Sequence, residues 1–428
     1  MSGDGVGGDG VTGRDVMGSS ETGAPPRRRA DRVAIVTHSV FEEDPRIQRE
    51  ADALAGAGWE VDVFALRPPD GTAAATWRPG IRAIPIDVAR HQGAGLGTYV
   101  REYGSFLVRA GWALTREHRR RRYRVVEVAS PPDPLVFAAL PVRLVRVPVI
   151  LDLHEATPEF FKSRFPRAAN PWSDRLLHLA ERVSIAFARV AISVNPARNA
   201  RLLALGYPAA KLRVVTNGPS LARFEAAPTA NRPFMADGTL RIVYTGAVTP
   251  LYTLDLVVRA VARIRDERPD LPVVFEVYGR GDAEPDLVAL AAELGIADRL
   301  VLHGRIPLDE IPAALAGVDI GVSPIRRDPF TEISMPTKAL EYAVMGKPVV
   351  AADLPAARDH FDDDMLAWYE PGDTEALARA ILHVVDDPDW RGRAVVAAGV
   401  RARELSWDRE APAFVELVTA VAEGRPIA

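Results

Sequence analysis

The sequence predicts an α/β protein of two doubly wound, parallel-sheet domains set in tandem and facing a central cleft. Three observations predict it. The chain has 428 residues, and domains usually run to roughly 100–200 residues. Apolar residues make up 48% and charged residues 26%, which suits a large core and excludes a fibrous, disordered or membrane-spanning chain. A strand–helix–strand pattern starts at Val33 and restarts near Leu240, and such alternation builds parallel sheets.

Residues 1–30 are rich in Gly, Ser, Thr and Asp, lack apolar periodicity and read as a disordered tail. A strand at Val33–Val36 leads to Asp44 as a helix N-cap, with Pro45 at the first helical position. Ile47, Ala51, Leu54 and Ala55 form the buried stripe of that helix, Gly56 and Gly58 end it, and Val61–Leu66 is the next strand. Further strands are expected at Val125–Val128, Val147–Leu153, Val190–Val194 and Arg213–Val215, which closes a first domain over 31–225. Residues 226–238, rich in Ala, Pro and polar residues, read as a linker. The second domain, 239–408, takes strands at Leu240–Tyr244, Val273–Tyr278, Leu300–His303, Ile320–Ser323 and Pro348–Ala351. Helices fit near Leu254–Ile264, Glu284–Leu294, Asp309–Ala316 and Pro336–Val344, and 409–428 is expected to be a helix packing back on the first domain. Ligands bind such folds at the carboxyl ends of the strands.

Charge and composition narrow the function. The balance of 53 basic and 57 acidic residues gives −4, so broad contact with nucleic acid is not expected. Cysteine is absent, which removes disulfides, thiol catalysis and metal–thiolate sites. No apolar run reaches the ~18–20 residues that cross a bilayer, and a cytoplasmic protein is expected. Only Lys162, Lys211, Lys338 and Lys347 are lysines, so arginine is the default cation here and a lysine at one place is informative.

The strongest local signal runs from Ile333 to Val350, ISMPTKALEYAVMGKPVV. It reads as a loop, a helix opening at Pro336, Thr337 and Lys338, a stop at Gly346 and a buried strand. A helix N-terminus suits a phosphate, and Lys338 in the first turn opposes the helix dipole unless an anion sits there. Glu341, one turn on, can accept hydrogen bonds from vicinal hydroxyls such as a ribose diol. An ordinary surface helix with a charged face has the same pattern. No Gly-x-Gly-x-x-Gly follows the first strand, and no Walker pattern occurs. The Asp-x-Asp stretches at Asp362–Asp364 and Asp387–Asp389 lie in polar turns, so no metal site is expected.

The segment resembles the donor-binding stretch of family 4 glycosyltransferases, retaining enzymes of the GT-B fold. Asp44–Glu50 with Gly58–Val61, Pro131-Pro132-Asp133, Leu151–Glu159, Val215–Gly218, Tyr244-Thr245-Gly246 and Tyr278–Gly281 are similar to that family's motifs in order. The resemblance implies a metal-independent, cofactor-free transfer of a sugar from a nucleoside diphosphate donor to an unknown acceptor. It implies that Gly246, Thr249, Arg280, Arg305, Glu332, Pro336, Thr337, Lys338 and Glu341 serve the donor, with His154 and Lys338 catalytic. His38, Asp44 and Arg46 would stand on the acceptor side. Two departures are visible. Ala247 stands where many members carry an arginine, and 248–253 contains no cation for the diphosphate. Ile333 stands where many carry a first glutamate, with Glu332 one residue away. Lys338, helped by Arg280, is expected to supply the missing charge. A GT-B sugar-nucleotide epimerase and a catalytically silent GT-B partner subunit remain the alternatives.

From Tyr99 to Arg120 the spacing predicts an amphipathic helix, with Tyr99, Tyr103, Phe106, Leu107, Ala110 and Leu114 on one side. Between Arg101 and Arg124 there are eight arginines and two glutamates. Arg101, Arg109, Trp112, Arg116 and Arg120 suit a peripheral contact with an anionic membrane. A solvated helix face has the same composition.

Overall fold

The computed structural model describes residues 31–68, 71, 77–88, 95–225, 231–335 and 337–427. The expected tail over 1–30, the linker residues 226–230 and Pro336 lie outside the described residues. Long β-branched runs build both sheets. The first contains β1 (Arg32–Val40), β2 (Glu60–Leu66), β3 (Ile81–Ile86), β4 (Val125–Ala129), β5 (Val149–Leu153), β6 (Val190–Ser193) and β7 (Leu212–Val214). Its order is β3-β2-β1-β4-β5-β6-β7, and every pairing is parallel. The second contains β8 (Leu240–Thr245), β9 (Val273–Tyr278), β10 (Leu300–Gly304), β11 (Ile320–Ser323), β12 (Val349–Ala352) and β13 (Ala367–Tyr369). Its order is β10-β9-β8-β11-β12-β13, again all parallel. Central strands such as β4, β5 and β11 are buried on both faces, which is why they read as unbroken apolar runs.

Fifteen helices among the described residues cover the sheets. The first half carries α1 (Pro45–Gly56), α2 (Leu96–Arg121), α3 (Leu140–Leu144), α4 (Thr157–Arg164), α5 (Pro171–Phe187), α6 (Pro196–Ala204) and α7 (Leu221–Glu225). The second carries α8 (Leu254–Glu267), α9 (Glu284–Glu293), α10 (Ile311–Ala316), α11 (Thr337–Val344) and α12 (Pro355–Arg358). Next come α13 (Thr374–Asp386), α14 (Pro388–Glu404) and α15 (Trp407–Glu423). Asp44 caps α1 by accepting from the backbone N–H of Arg46 at 3.1 Å and Ile47 at 3.4 Å. In each sheet the strand order reverses beside the first strand of its domain, β1 or β8. A crevice opens at that reversal on the carboxyl side.

The chain end belongs to the first sheet. Phe414, Leu417, Val418 and Val421 of α15 are buried with Val33, Val61 and Val125. Arg49 of α1 lies over the Trp407 ring at 4.6 Å. Two strands were not anticipated. Among the described residues β3 forms a ladder with β2 alone and contains Pro85, which an edge strand tolerates because its outer N–H groups have no ladder to join. β13 is a three-residue edge strand beside β12, too short to show a period.

Because Phe414 is 1% exposed inside this shared core, Phe414→Ala should destabilise the protein by about 3–5 kcal/mol. Val400→Ser, at 56% exposure on α14, should stay within about 0.5 kcal/mol. Urea unfolding followed by circular dichroism compares the two; equal midpoints would separate α15 from the fold's stability.

Candidate functional site

Two loops at the carboxyl ends of β8 and β9 lie backbone to backbone. Gly246 donates to the Tyr278 carbonyl at 2.8 Å, Val248 to Arg280 at 3.1 Å, and Ala283 to Val248 at 3.1 Å. A Cβ on Gly279 would fall 1.7 Å from the Gly246 carbonyl oxygen, so only glycine permits that approach. Gly246 itself has φ +136, and a Cβ there would sit 2.6 Å from Cε of Lys338. The lysine therefore occupies the space that a side chain at 246 would need.

Lys338 arrives from α11 on the neighbouring strand connection. Its ammonium stands 4.0 Å above the Tyr252 ring and 5.2 Å from the Tyr244 ring. Among the described residues it forms no ion pair. Two aromatic faces stabilise an ammonium by about 0.5–2 kcal/mol, less than a charge-assisted hydrogen bond to an anion would add. Arg280 is exposed, forms no ion pair among the described residues, and its guanidinium reaches over Gly304. Thr249 and Thr337 are half-buried at the openings of their turns. Glu341 is half-buried; burial raises its carboxyl pKa, and Lys338, Arg223 and Arg49 oppose that rise.

Facing these loops, His154 ends β5 with Nε2 bonded to Asp152, while its carbonyl accepts from Arg198. Arg46 lies 3.8 Å from Asp44 and 3.9 Å from Glu155. Burial works against the ionised Asp44, yet Arg46 and His154 hold its pKa below the usual value. Behind His154, Glu50 and Glu127 are buried beside Asp152, and desolvation followed by that neighbouring charge pushes both carboxyls well above their usual value. Donor atoms of Glu50, Asp152 and His154 lie within 4.8 Å of one another, a grouping able to hold a metal ion. It lines a cavity of about 10 Å³ with Arg46 and Arg49, room for one water-sized species. Those two guanidinium groups compete with any cation there.

The walls of the cleft touch. Ser163 of α4 donates to Asp328 at 2.8 Å, and Arg326 donates to the Ser163 carbonyl at 2.7 Å. Phe160 meets Phe330 edge to face at 5.4 Å, and Asn195 donates to the Ile333 carbonyl at 3.0 Å.

Of the residues read from the sequence, Gly246 and Lys338 come into direct proximity, with Arg280 in the adjoining loop and Glu341 one turn along α11. Others have partners or surroundings that the sequence did not show. Arg305 is engaged by Glu43 of the first domain, so a carboxylate already takes the charge assigned to the donor. His38 turns under α2, 3.2 Å from Glu102 and against Tyr103 and Phe106, and its side chain is only 5% exposed. Glu332 is exposed. At the end of the basic run, Arg121 is held by Glu60 and Asp62, and Arg124 by Asp31. Sequence reasoning missed Arg49 and Arg223. Arg49 donates to Asn217 and the Gly218 carbonyl at 2.5 Å each, and burial lowers its pKa to about 10. The run Asp44–Glu50 contained Arg49, but nothing local marked it as reaching residue 217.

Comparisons with known proteins agree with this geometry. A model described as Glycosyl transferases group 1 matches residues 239–387, and a Glycosyl transferase 4-like domain matches residues 44–218. The D-inositol 3-phosphate glycosyltransferase of Streptomyces scabiei is 32% identical over 226 residues, covering 49% of either chain. The protein of the same name from Thermobispora bispora is 32% identical over 262 residues, 58% of this chain and 59% of that one. The chain spans about half the length of the curated relatives it matches. Among solved structures, sucrose-phosphate synthase from Thermosynechococcus elongatus superposes with a TM-score of 0.73 at 17% identity, covering 92% of this chain and 100% of that one. Anabaena HepE in complex with UDP-glucose gives 0.68 at 14% identity, covering 91% and 99%. These likenesses are of fold, the GT-B arrangement of two facing sheets.

Two measurements check the site's construction. Gly246→Ala should cost about 1–3 kcal/mol, since the backbone strain adds to the clash with Lys338; unchanged thermal unfolding would contradict the close approach. Asp133, buried beneath the cleft and accepting from Thr157 at 2.7 Å, has its pKa pushed by burial from 3.8 up to about 7. The folded chain thus keeps a proton that the unfolded chain loses, and stability falls as pH rises from 3.8 towards 7. Asp133→Asn removes this penalty, so its melting temperature relative to wild type should climb across that window. A flat difference by calorimetry would contradict it.

Proposed function

The chain belongs to the family 4 glycosyltransferases, and from that premise we propose that it moves a sugar from a nucleoside diphosphate donor to an acceptor hydroxyl, with retention and without a metal. The observation that carries the reading is the Lys338 ammonium, seated on Tyr252 beside Gly246 with no ion-pair partner among the described residues. The donor diphosphate lies against Gly246, Lys338 and Arg280, and Glu341 accepts from the ribose hydroxyls. That HepE has been solved with UDP-glucose makes uridine the first base to try.

In the proposed reaction the sugar–phosphate bond lengthens and negative charge grows on the leaving oxygen. Lys338, fixed in advance by its aromatic seat, stabilises that charge where it develops. The departing phosphate accepts the acceptor's proton on the same face, so the anomeric configuration is kept without a protein nucleophile. His154, oriented by Asp152, bonds a sugar hydroxyl and aligns the ring. Contacts between α4 and the loop at 326–330 exclude water that would hydrolyse the donor. Metal independence is supported by the cation being a side chain, and by the His/Asp/Glu grouping near His154 lying on the opposite wall from Lys338. The acceptor approaches from the first domain, and Arg101, Arg109, Trp112, Arg116 and Arg120 of α2 bring the protein to an anionic membrane.

Proton NMR of the product's anomeric signal tests retention; inversion would overturn the mechanism, and turnover of donor alone to a new sugar nucleotide would favour an epimerase. Glu341→Gln should weaken nucleotide binding by one to two decades, about 1.5–3 kcal/mol, on folded protein measured by calorimetry. Lys338→Ala should lower kcat and kcat/KM together, and Lys338→Arg should recover only part, because the two cations differ in shape and hydration. Full turnover by Lys338→Ala would remove it from the chemistry.

A further inference from the structure

The layer over one face of the first sheet has an outer surface that catalysis does not use. α2, the turn at Asp133–Ala139, α3 and α5 lie side by side there, sharing one core through Phe106, Leu114, Val136, Val142 and Ile185. Their outer sides are unusually apolar. Along α5, Trp172 is 77%, Leu176 66%, Leu179 57% and Val183 46% exposed. The spacing of four, three and four residues draws one stripe along that helix, the pattern that ordinarily faces a core. Leu144 of α3 is 76% exposed and Trp112 of α2 is 65% exposed.

The charge around the stripe has a single sign. Glu102, Glu117 and Glu181 are buried, and Asp174 is held by Lys162 at 2.6 Å. The exposed charged groups on these helices are arginines, among them Arg116, Arg120, Arg143, Arg175 and Arg182. Arg175 lies over Trp172 at 5.6 Å and Arg116 over Trp112 at 5.0 Å. A second copy of this face would bring arginine against arginine. A nucleic acid would match the charge and leave the leucine stripe in water.

We infer that α5, with α3, is the element that inserts into the headgroup boundary of an anionic membrane, its apolar stripe downward and its arginines among the lipid phosphates. This deepens the membrane contact proposed above and rests on it: α2 supplies charge, and α5 supplies the apolar grip. Such a face leaves the carboxyl ends of the strands free for donor and acceptor.

The test floats the full chain with vesicles of neutral phosphatidylcholine, or of phosphatidylcholine with about one-third phosphatidylglycerol, at low and high salt. Wild type should bind the anionic vesicles more tightly, and the Leu176→Ser/Leu179→Ser double variant should lose at least about tenfold in partitioning. Val396→Ser/Val400→Ser, an equally exposed pair on α14, should bind as wild type does. A nucleotide-induced thermal shift, retained by all three, certifies folded protein. An anionic-vesicle affinity unchanged in the α5 variant overturns the role of α5 and leaves the α2 contact. No vesicle binding by any form overturns both, while the thermal shift keeps the donor reading standing. Concentration-dependent dimerisation abolished by the α5 variant, without vesicle binding, assigns the face to a second copy instead.

Discussion

An ammonium held on two tyrosine rings, in the space that any side chain at position 246 would fill, is the constraint around which the second domain's cleft is arranged. It requires glycine at 246 and at 279, because the two loops touch through their backbones. It requires α11 to open where it does, so that Lys338 reaches across β8. A cation near a helix N-terminus opposes the helix dipole, and an anion bound there offsets that cost. In the proposed reading, α11 carries the contact to the donor diphosphate that the first loop, with Ala247 and no cation over 248–253, does not supply.

The first domain answers with a different electrostatic economy. Desolvation, followed by the neighbouring Asp152, pushes the Glu50 and Glu127 carboxyls well above their usual value, and Asp152 is the carboxylate bonded to His154. Arg46, Arg49 and Arg198 surround that point, and Arg49 reaches on to residues 217 and 218 at the end of the domain. Closing the chain, α15 returns to the sheet that α1 covers. The connection from cleft to core therefore runs through α1, whose N-cap, cleft arginine and buried stripe serve three roles within one helix.

Much of this was legible in the sequence where a local rule fixes the answer. Buried parallel strands such as Val33–Val36 and the cap at Asp44 announce themselves through an apolar, β-branched run and an Asp followed by Pro at the helix start. The edge strand at Ile81–Ile86 did not, since Pro85 and Arg82 disguise a run that has only one partner. In the site, Lys338 stood out by the rarity of lysine, and Gly246 by its place after a strand. The partners of Arg305 and His38, Glu43 and Glu102, were not legible because they lie far away in sequence. Long-range contacts leave no local periodicity, and Arg49 and Arg223 were missed for the same reason.

The central claim is that Lys338 answers the second phosphate of the donor. Calorimetric titration of the nucleoside diphosphate and the corresponding monophosphate, on wild type and Lys338→Ala, tests it most directly. Wild type should prefer the diphosphate by at least about tenfold, roughly 1.4 kcal/mol, and the preference should collapse in the variant while monophosphate affinity holds. A diphosphate preference that survives the loss of Lys338 would contradict the account.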